Sequence, residues 1–178
     1  MNAPVFLKID DKIATLTLNR PDKLNALNYQ TVDLRMEAYR KPIIAAVNGY
    51  AFGGGCEITE AVPLAIASER ALFAKPEIRL GMPPTFGGTQ RLSRLSGRKR
   101  ALQLLLTGER FEPQRALQEG LINRVVPHAE LMPAARELAS RIACNSPLAV
   151  AAILAAVTRG LNMAIGEGLQ VESEQFAS

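Results

Sequence analysis

The chain has 178 residues, of which 48% are hydrophobic and 21% charged, and its net charge is +4. That length fits one domain with a sizeable core, and the composition excludes a disordered, collagenous or coiled-coil chain. One histidine and two distant cysteines, Cys56 and Cys144, exclude a multi-histidine metal centre and argue against a disulfide framework.

Two strands open the chain, Val5 to Ile9 and Ile13 to Leu18, joined by the polar turn Asp10-Asp11-Lys12. In the second strand Ala14, Leu16 and Leu18 lie on one side and Thr15 and Thr17 on the other. Asn19-Arg20-Pro21-Asp22 breaks it. A helix is predicted over 29–40, with Val32, Met36 and Tyr39 on one face, and Pro42 ends it. Ile43 to Val47, an apolar run between Pro42 and Asn48-Gly49, reads as a buried strand. Tyr50-Ala51-Phe52 leads to the triple glycine Gly53-Gly54-Gly55, where a short helix is predicted to start and to end before Pro63. Leu64 to Ala67 and Ala71 to Ala74 read as short strands, and 81–90 as a loop rich in glycine and proline. From Leu92 the pattern is mainly helical. Glu112-Pro113 opens one helix and Gly120 closes it, and Val125-Val126 is strand-like. Glu130 to Ala143 and Pro147 to Arg159 are predicted helices, the second expected to be buried because it is rich in Ala, Leu and Val. The stretch 164–178 reads as a helix cut off in mid-course. The order favours an α/β core with a helical C-terminal region.

The longest nearly apolar run, Pro147 to Val157, falls short of the ~20 residues that span a bilayer. Met1-Asn2-Ala3-Pro4 carries neither a basic nor an apolar leader, so a cytoplasmic protein without membrane association is expected. The densest basic run, Arg98-Lys99-Arg100, is short and has no interleaved aromatics, so no nucleic-acid partner is expected.

The strongest local feature is Asn48 to Glu57, in which a strand leads into three glycines and a helix leads out. Glycines permit close backbone approach, and the first N–H groups of a helix point outward without partners. Such a place suits phosphate, carboxylate or a developing oxyanion. A tight turn, with Glu57 complementing the helix dipole, is the alternative. Neither a Walker loop nor a G-x-G-x-x-G spacing is present. The second feature is Lys75-Pro76-Glu77 followed by the Gly81 to Arg91 loop. Glu57 and Glu77 can face one pocket, where two desolvated carboxyls divide into acid and base. Two unrelated surface glutamates are the alternative. His128, in Pro127-His128-Ala129, reads as a surface or helix-start residue, and Cys56 as a small buried one. Met82 and Phe86 suit either an acyl pocket or the core.

The segments Lys41 to Gly49, Gly53-Gly54-Gly55-Cys56-Glu57, Pro76-Glu77 and Gly87-Gly88-Thr89-Gln90-Arg91-Leu92 together resemble the enoyl-CoA hydratase/isomerase (crotonase) family. Leu18 to Leu27, Leu106-Thr107-Gly108, Ala116 to Gly120 and Leu121 to Val126 extend the resemblance over most of the chain. It implies a crotonase-like (ClpP/crotonase) β-β-α spiral in one domain, 1–178. That domain comprises an N-terminal hairpin and first helix start (1–32), a core (41–126) and a helical C-terminal region (127–178).

The resemblance also implies syn addition of water across a 2-enoyl-CoA. The Gly54 N–H is one oxyanion donor, and Glu57 and Glu77 handle water and proton, their roles unassigned. Lys23, Leu24 and Ala26 match the family's contact with the CoA nucleotide. Gly53, Pro76 and Thr85 are expected at the substrate, with Thr85 replacing a glycine common in hydratases. No cofactor is expected, coenzyme A being part of the substrate. The implied partners are an acyl-CoA thioester and further copies of the chain, in a trimer or hexamer. A related acyl-CoA isomerase, and a non-catalytic remnant that binds CoA or oligomerises, are the alternative readings. The sequence departs from the family between the opening motif and Lys41. A longer helix, a strand and an A-F-S-A-G-A-D loop, which gives the second oxyanion N–H, are absent from this chain.

Overall fold

The computed structural model describes residues 5–18 and 39–176, with the side chains of Val5 and Phe6 left aside. β1 (Val5–Asp10) and β2 (Ile13–Leu18) form an antiparallel hairpin in which Val5 pairs with Leu18 and Asp10 with Ile13. Asp11 takes a positive φ of 50° in the two-residue turn, a conformation that aspartate tolerates better than most residues. The apolar face of this hairpin is the exposed one. Leu7, Ile9 and Leu16 are all more than 60% exposed, while Ile13 and Thr15 are half-buried. The helix predicted over 29–40 lies outside the described residues except for Tyr39 and Arg40, which are not helical.

The core is a repeated strand–strand–helix unit. β3 (Ile44–Val47) is followed after Asn48-Gly49 by β4 (Tyr50–Phe52) and then by α1 (Gly54–Ala61). The next unit repeats the order with β5 (Leu64–Ser68), β6 (Leu72–Ala74), a 3-10 helix (Pro76–Leu80) and α2 (Gly88–Ser96). Within each unit the first strand joins one sheet and the second strand the other. β3 and β5 pair in parallel, Ile44 opposite Leu64, and β4 pairs in parallel with β6, Tyr50 opposite Leu72. β8 (Arg124–Val126) extends the first sheet in parallel beside β5, and β7 (Arg110–Phe111) closes the second, antiparallel to β6. This is the β-β-α spiral that the motifs imply.

β4 was not foreseen: three residues give too short an alternation to read. β3 is half-buried along its length and not buried as expected, because among the described residues it is the outer strand of its sheet. The predicted 81–90 loop is shorter than read, since α2 already begins at Gly88.

The main core lies between the sheets and α1, α2 and α3 (Arg98–Thr107), around Cys56, Phe73, Leu92, Leu104 and Phe111. Phe73 and Phe111 stack with ring centroids 5.6 Å apart. A smaller cluster joins Ile66 and Val126 to Leu131 and Ala135 of α5 (Leu131–Ala143). α4 (Pro113–Gln118) starts at its proline as read. α6 (Pro147–Gly160) corrects an expectation. Only Ala151 of it is buried, and Leu148, Ile153 and Val157 are exposed. It packs chiefly on α7 (Ile165–Phe176), Gly160 against Gly168, and nothing among the described residues covers its opposite face. No single described helix is long and apolar enough to cross a membrane.

Candidate active site

The site is built where the spiral turns from strand to helix. Gly53, between β4 and α1, takes φ 55° and ψ −120°, a backbone conformation that only glycine adopts without strain. Its N–H donates to the Ala74 carbonyl at 3.0 Å, which ties the turn to the end of β6. The first amide bond inside α1 runs from Glu57 to the Gly53 carbonyl at 3.0 Å. The N–H groups of Gly54, Gly55 and Cys56 therefore precede the helix's own ladder, at its positive end.

Glu57 is the fourth residue of α1 and is 2% exposed. Its Oε1 accepts the N–H of Phe86 at 2.9 Å and that of Gly88 at 2.8 Å. Two donors on one oxygen orient the carboxylate and leave Oε2 for another partner. Arg91 of α2 donates to the Phe86 carbonyl and lies against Gly87, bracing the loop that supplies these amides. Gly88 is required here by space. A Cβ on it would stand 2.8 Å from Glu57 Oε1 and would also collide with Lys75 Nζ.

Glu77 follows Pro76 in the 3-10 helix, and it too is buried. Its carboxyl lies beside the glycine turn, since a Cβ on Gly53 would stand 3.4 Å from Glu77 Oε1. Neither carboxyl oxygen makes a well-formed hydrogen bond to another described residue. Burial pushes the Glu77 carboxyl above the usual range. Its own backbone N–H and the Lys75 charge oppose the rise, and the Glu57 charge adds to it. The Glu57 charge thus reaches Glu77, which sits beside the Gly53 turn, while the Glu57 carboxylate itself lies against Gly88.

Behind Glu57 stands a group that the sequence reading did not single out. Lys75 Nζ lies 2.8 Å from Glu60 Oε1, and both side chains are fully buried. The Cys56 thiol donates to the same Glu60 oxygen at 3.5 Å. Burial alone lowers the Lys75 ammonium, but Cys56, Glu60 and Glu57 together raise it above its ordinary value. Cys56 is a buried thiol pushed well up by desolvation, in keeping with a core role. One sequence signal was available, because Glu57 and Glu60 are three residues apart and share a face of α1.

Of the remaining candidates, Pro76 is half-buried at the first position of the 3-10 helix, and Thr85 is exposed in the loop. Met82 is 40% exposed and Phe86 half-buried. Lys23, Leu24 and Ala26 lie outside the described residues. His128 starts a short 3-10 turn, with Nδ1 3.1 Å from Ser68 Oγ, which matches the helix-start reading.

The family profile described as enoyl-CoA hydratase/isomerase matches residues 33–178. The chain belongs to this family. Its relatives include proteins named as enoyl-CoA hydratases. It is 37% identical to the short-chain-enoyl-CoA hydratase of Clostridium acetobutylicum, over 97% of this chain and 87% of that protein. It is 46% identical to a probable mitochondrial enoyl-CoA hydratase of Dictyostelium discoideum, over 78% of this chain. It spans only about half the length of that second relative. The solved enoyl-CoA hydratase of Bacillus anthracis superposes with a TM-score of 0.92 at 28% identity, covering 98% of this chain and 90% of that one. The clostridial alignment runs over 228 positions, more than the 178 residues of this family member. It therefore opens gaps opposite residues that the relative has and this chain lacks. Membership carries an enzyme assignment of the enoyl-CoA hydratase type.

Proposed function

We propose that the chain adds water across the double bond of a 2-enoyl-CoA thioester, with Glu57, Glu77 and the Gly54 N–H as its catalytic groups. Two buried carboxyls from different elements support this reading, Glu77 beside the Gly53 turn that opens α1 and Glu57 in the first turn of α1, each sensing the other's charge. The Gly54 N–H, at the positive end of α1, holds the thioester oxygen as negative charge develops on it. Glu57 is oriented by two amides, and its free Oε2 takes a proton from water as the oxygen bonds to the β-carbon. Glu77, kept toward its protonated form by burial, delivers a proton to the α-carbon on the same face. A proton returned from Glu57 to Glu77 restores both groups.

With no Ala-Gly-Ala-Asp in the chain, the second oxyanion donor of the family is missing. One lost donor costs about 2.7–4 kcal/mol, or roughly 10²–10³ in rate, so an impaired enzyme is the expected state. The same absence favours a second reading, a non-catalytic family member that still binds CoA. An oligomer formed through the exposed apolar faces of α6 and α7 and a cytoplasmic location complete the proposal.

The test is steady-state hydration of a short-chain 2-enoyl-CoA by the purified chain, beside Glu57→Gln and Glu77→Gln. Each variant is expected to lose about 10²–10⁴ in kcat. Three indistinguishable rates at background would end the catalytic reading. Calorimetric titration with CoA would then decide the second one, which the lack of any heat at millimolar ligand would exclude.

A further inference from the structure

We propose that Lys75, anchored by Glu60, is a positioning residue of this site, a buried cation that biases the Glu57–Glu77 pair. The geometry is specific. Lys75 Nζ and Glu57 Oε1 both border the point that a Cβ on Gly88 would occupy. The ammonium therefore lies within the ~4–6 Å over which an opposite charge favours an ionised carboxyl. Lys75 is also only two residues before Glu77, joined to it through a proline that starts the 3-10 helix. Its ammonium lies close to Glu57 Oε1 and its charge also reaches Glu77, while Glu60, whose Oε1 accepts the Cys56 thiol, holds it in place.

Stability alone is a poor explanation for this arrangement. Removing two charges from water is costly, and a buried ion pair is often matched or bettered by apolar residues of similar size. Lys75 also leaves Glu60 Oε2 without a hydrogen-bond partner among the described residues. What the pair supplies that an apolar pair cannot is a fixed dipole whose positive end, Lys75 Nζ, lies beside Glu57 Oε1. Among the described residues, the titratable groups whose charges couple to Glu77 are Glu57 and Cys56 of α1 and Lys75, the residue after β6. Arg91 of α2 turns to the Phe86 carbonyl, and Arg79 of the 3-10 helix turns to Gly108 after α3. Among the described residues, Lys75 is the cation whose charge acts on Glu77.

The inference rests on the hydratase reading for its kinetic arm only. The paired variants Lys75→Met/Glu60→Leu and Lys75→Gln/Glu60→Gln remove the charge while keeping the site filled, and Lys75→Arg keeps it. Carboxyl NMR titration of glutamate-labelled protein, with Glu77 assigned through Glu77→Gln, reads the effect without any turnover. Both paired variants are expected to move the Glu77 midpoint upward by ~1 pH unit, a tenfold change in its protonation ratio, and Lys75→Arg to restore it. The alkaline limb of the kcat profile should move with it. A Glu77 midpoint that stays put in a folded paired variant would overturn the proposal, whatever the activity. So would failure of both paired variants to fold, since the pair would then be a structural necessity. Absent turnover with a shifted midpoint would sink the hydratase reading and leave this one standing.

Discussion

Replacing Gly88 by alanine should damage the site from within while changing no titratable group. A methyl there would stand 2.8 Å from Glu57 Oε1 and 2.9 Å from its Cγ, closer than folded proteins tolerate, with Lys75 Nζ nearer still. Neither side chain is free to yield. Glu57 is held by the Phe86 and Gly88 amides, and Lys75 by Glu60. Rotating the carboxylate away forfeits hydrogen bonds to a charged group, about 1.5–3 kcal/mol each when broken. Keeping them forces overpacking at about 1–3 kcal/mol. The better helix propensity of alanine returns at most ~1 kcal/mol. The site takes the cheaper course, so these terms give a net loss of up to about 3 kcal/mol. A displacement near 1 Å in the reacting groups costs ~10² in rate. Thermal unfolding measures the first quantity and hydration of a short enoyl-CoA the second. Gly49→Ala is the control, since nothing lies within 4 Å of its added Cβ. A Gly88→Ala protein with the control's melting temperature and rate would refute the reasoning about crowding at Glu57.

Three further outcomes are expected. Glu77 has a raised carboxyl pKa, so its contribution to stability is complete below the ordinary value of 4.5 and is lost as pH rises through the folded value. Denaturant titrations should accordingly show Glu77→Gln gaining on wild type between pH 4.5 and neutrality, and equal pH slopes would contradict this. Breaking the buried pair at one end, by Lys75→Met or Glu60→Leu alone, should cost about 3–5 kcal/mol, with most of it recovered in the double variant; additive losses on urea unfolding would argue against coupling. Sedimentation should give a mass above that of one chain, and Leu148→Glu with Ile153→Glu, both on the exposed part of α6, should lower it. A monomeric wild type would remove that expectation.

The elements that were legible share a cause. β5, β6 and α1 are short apolar or glycine-led runs bounded by Pro63, Gly53 and Pro76, so local chemistry marks both ends. The two glutamates were legible because each follows such a boundary at a fixed distance. What escaped depends on contacts between distant segments. Nothing in the spacing of Lys75 and Glu60 announces their pairing, and only the fold brings Glu60 to Lys75 from α1. The apolar composition of α6 says that the helix seeks cover but not whether another element supplies it. Likewise the alternation in β2 gave the two faces, yet it is the Ile13–Thr15 side that is half-buried.

The double grip of Phe86 and Gly88 on one carboxylate oxygen has a consequence for anyone reshaping this protein. The stretch between Gly81 and Gly87 and the aim of Glu57 are a single mechanical variable. On the hydratase reading, lengthening that stretch to admit a bulkier acyl group would slacken the mooring of Glu57, the proposed base, so acyl range and proton transfer would change together from that side.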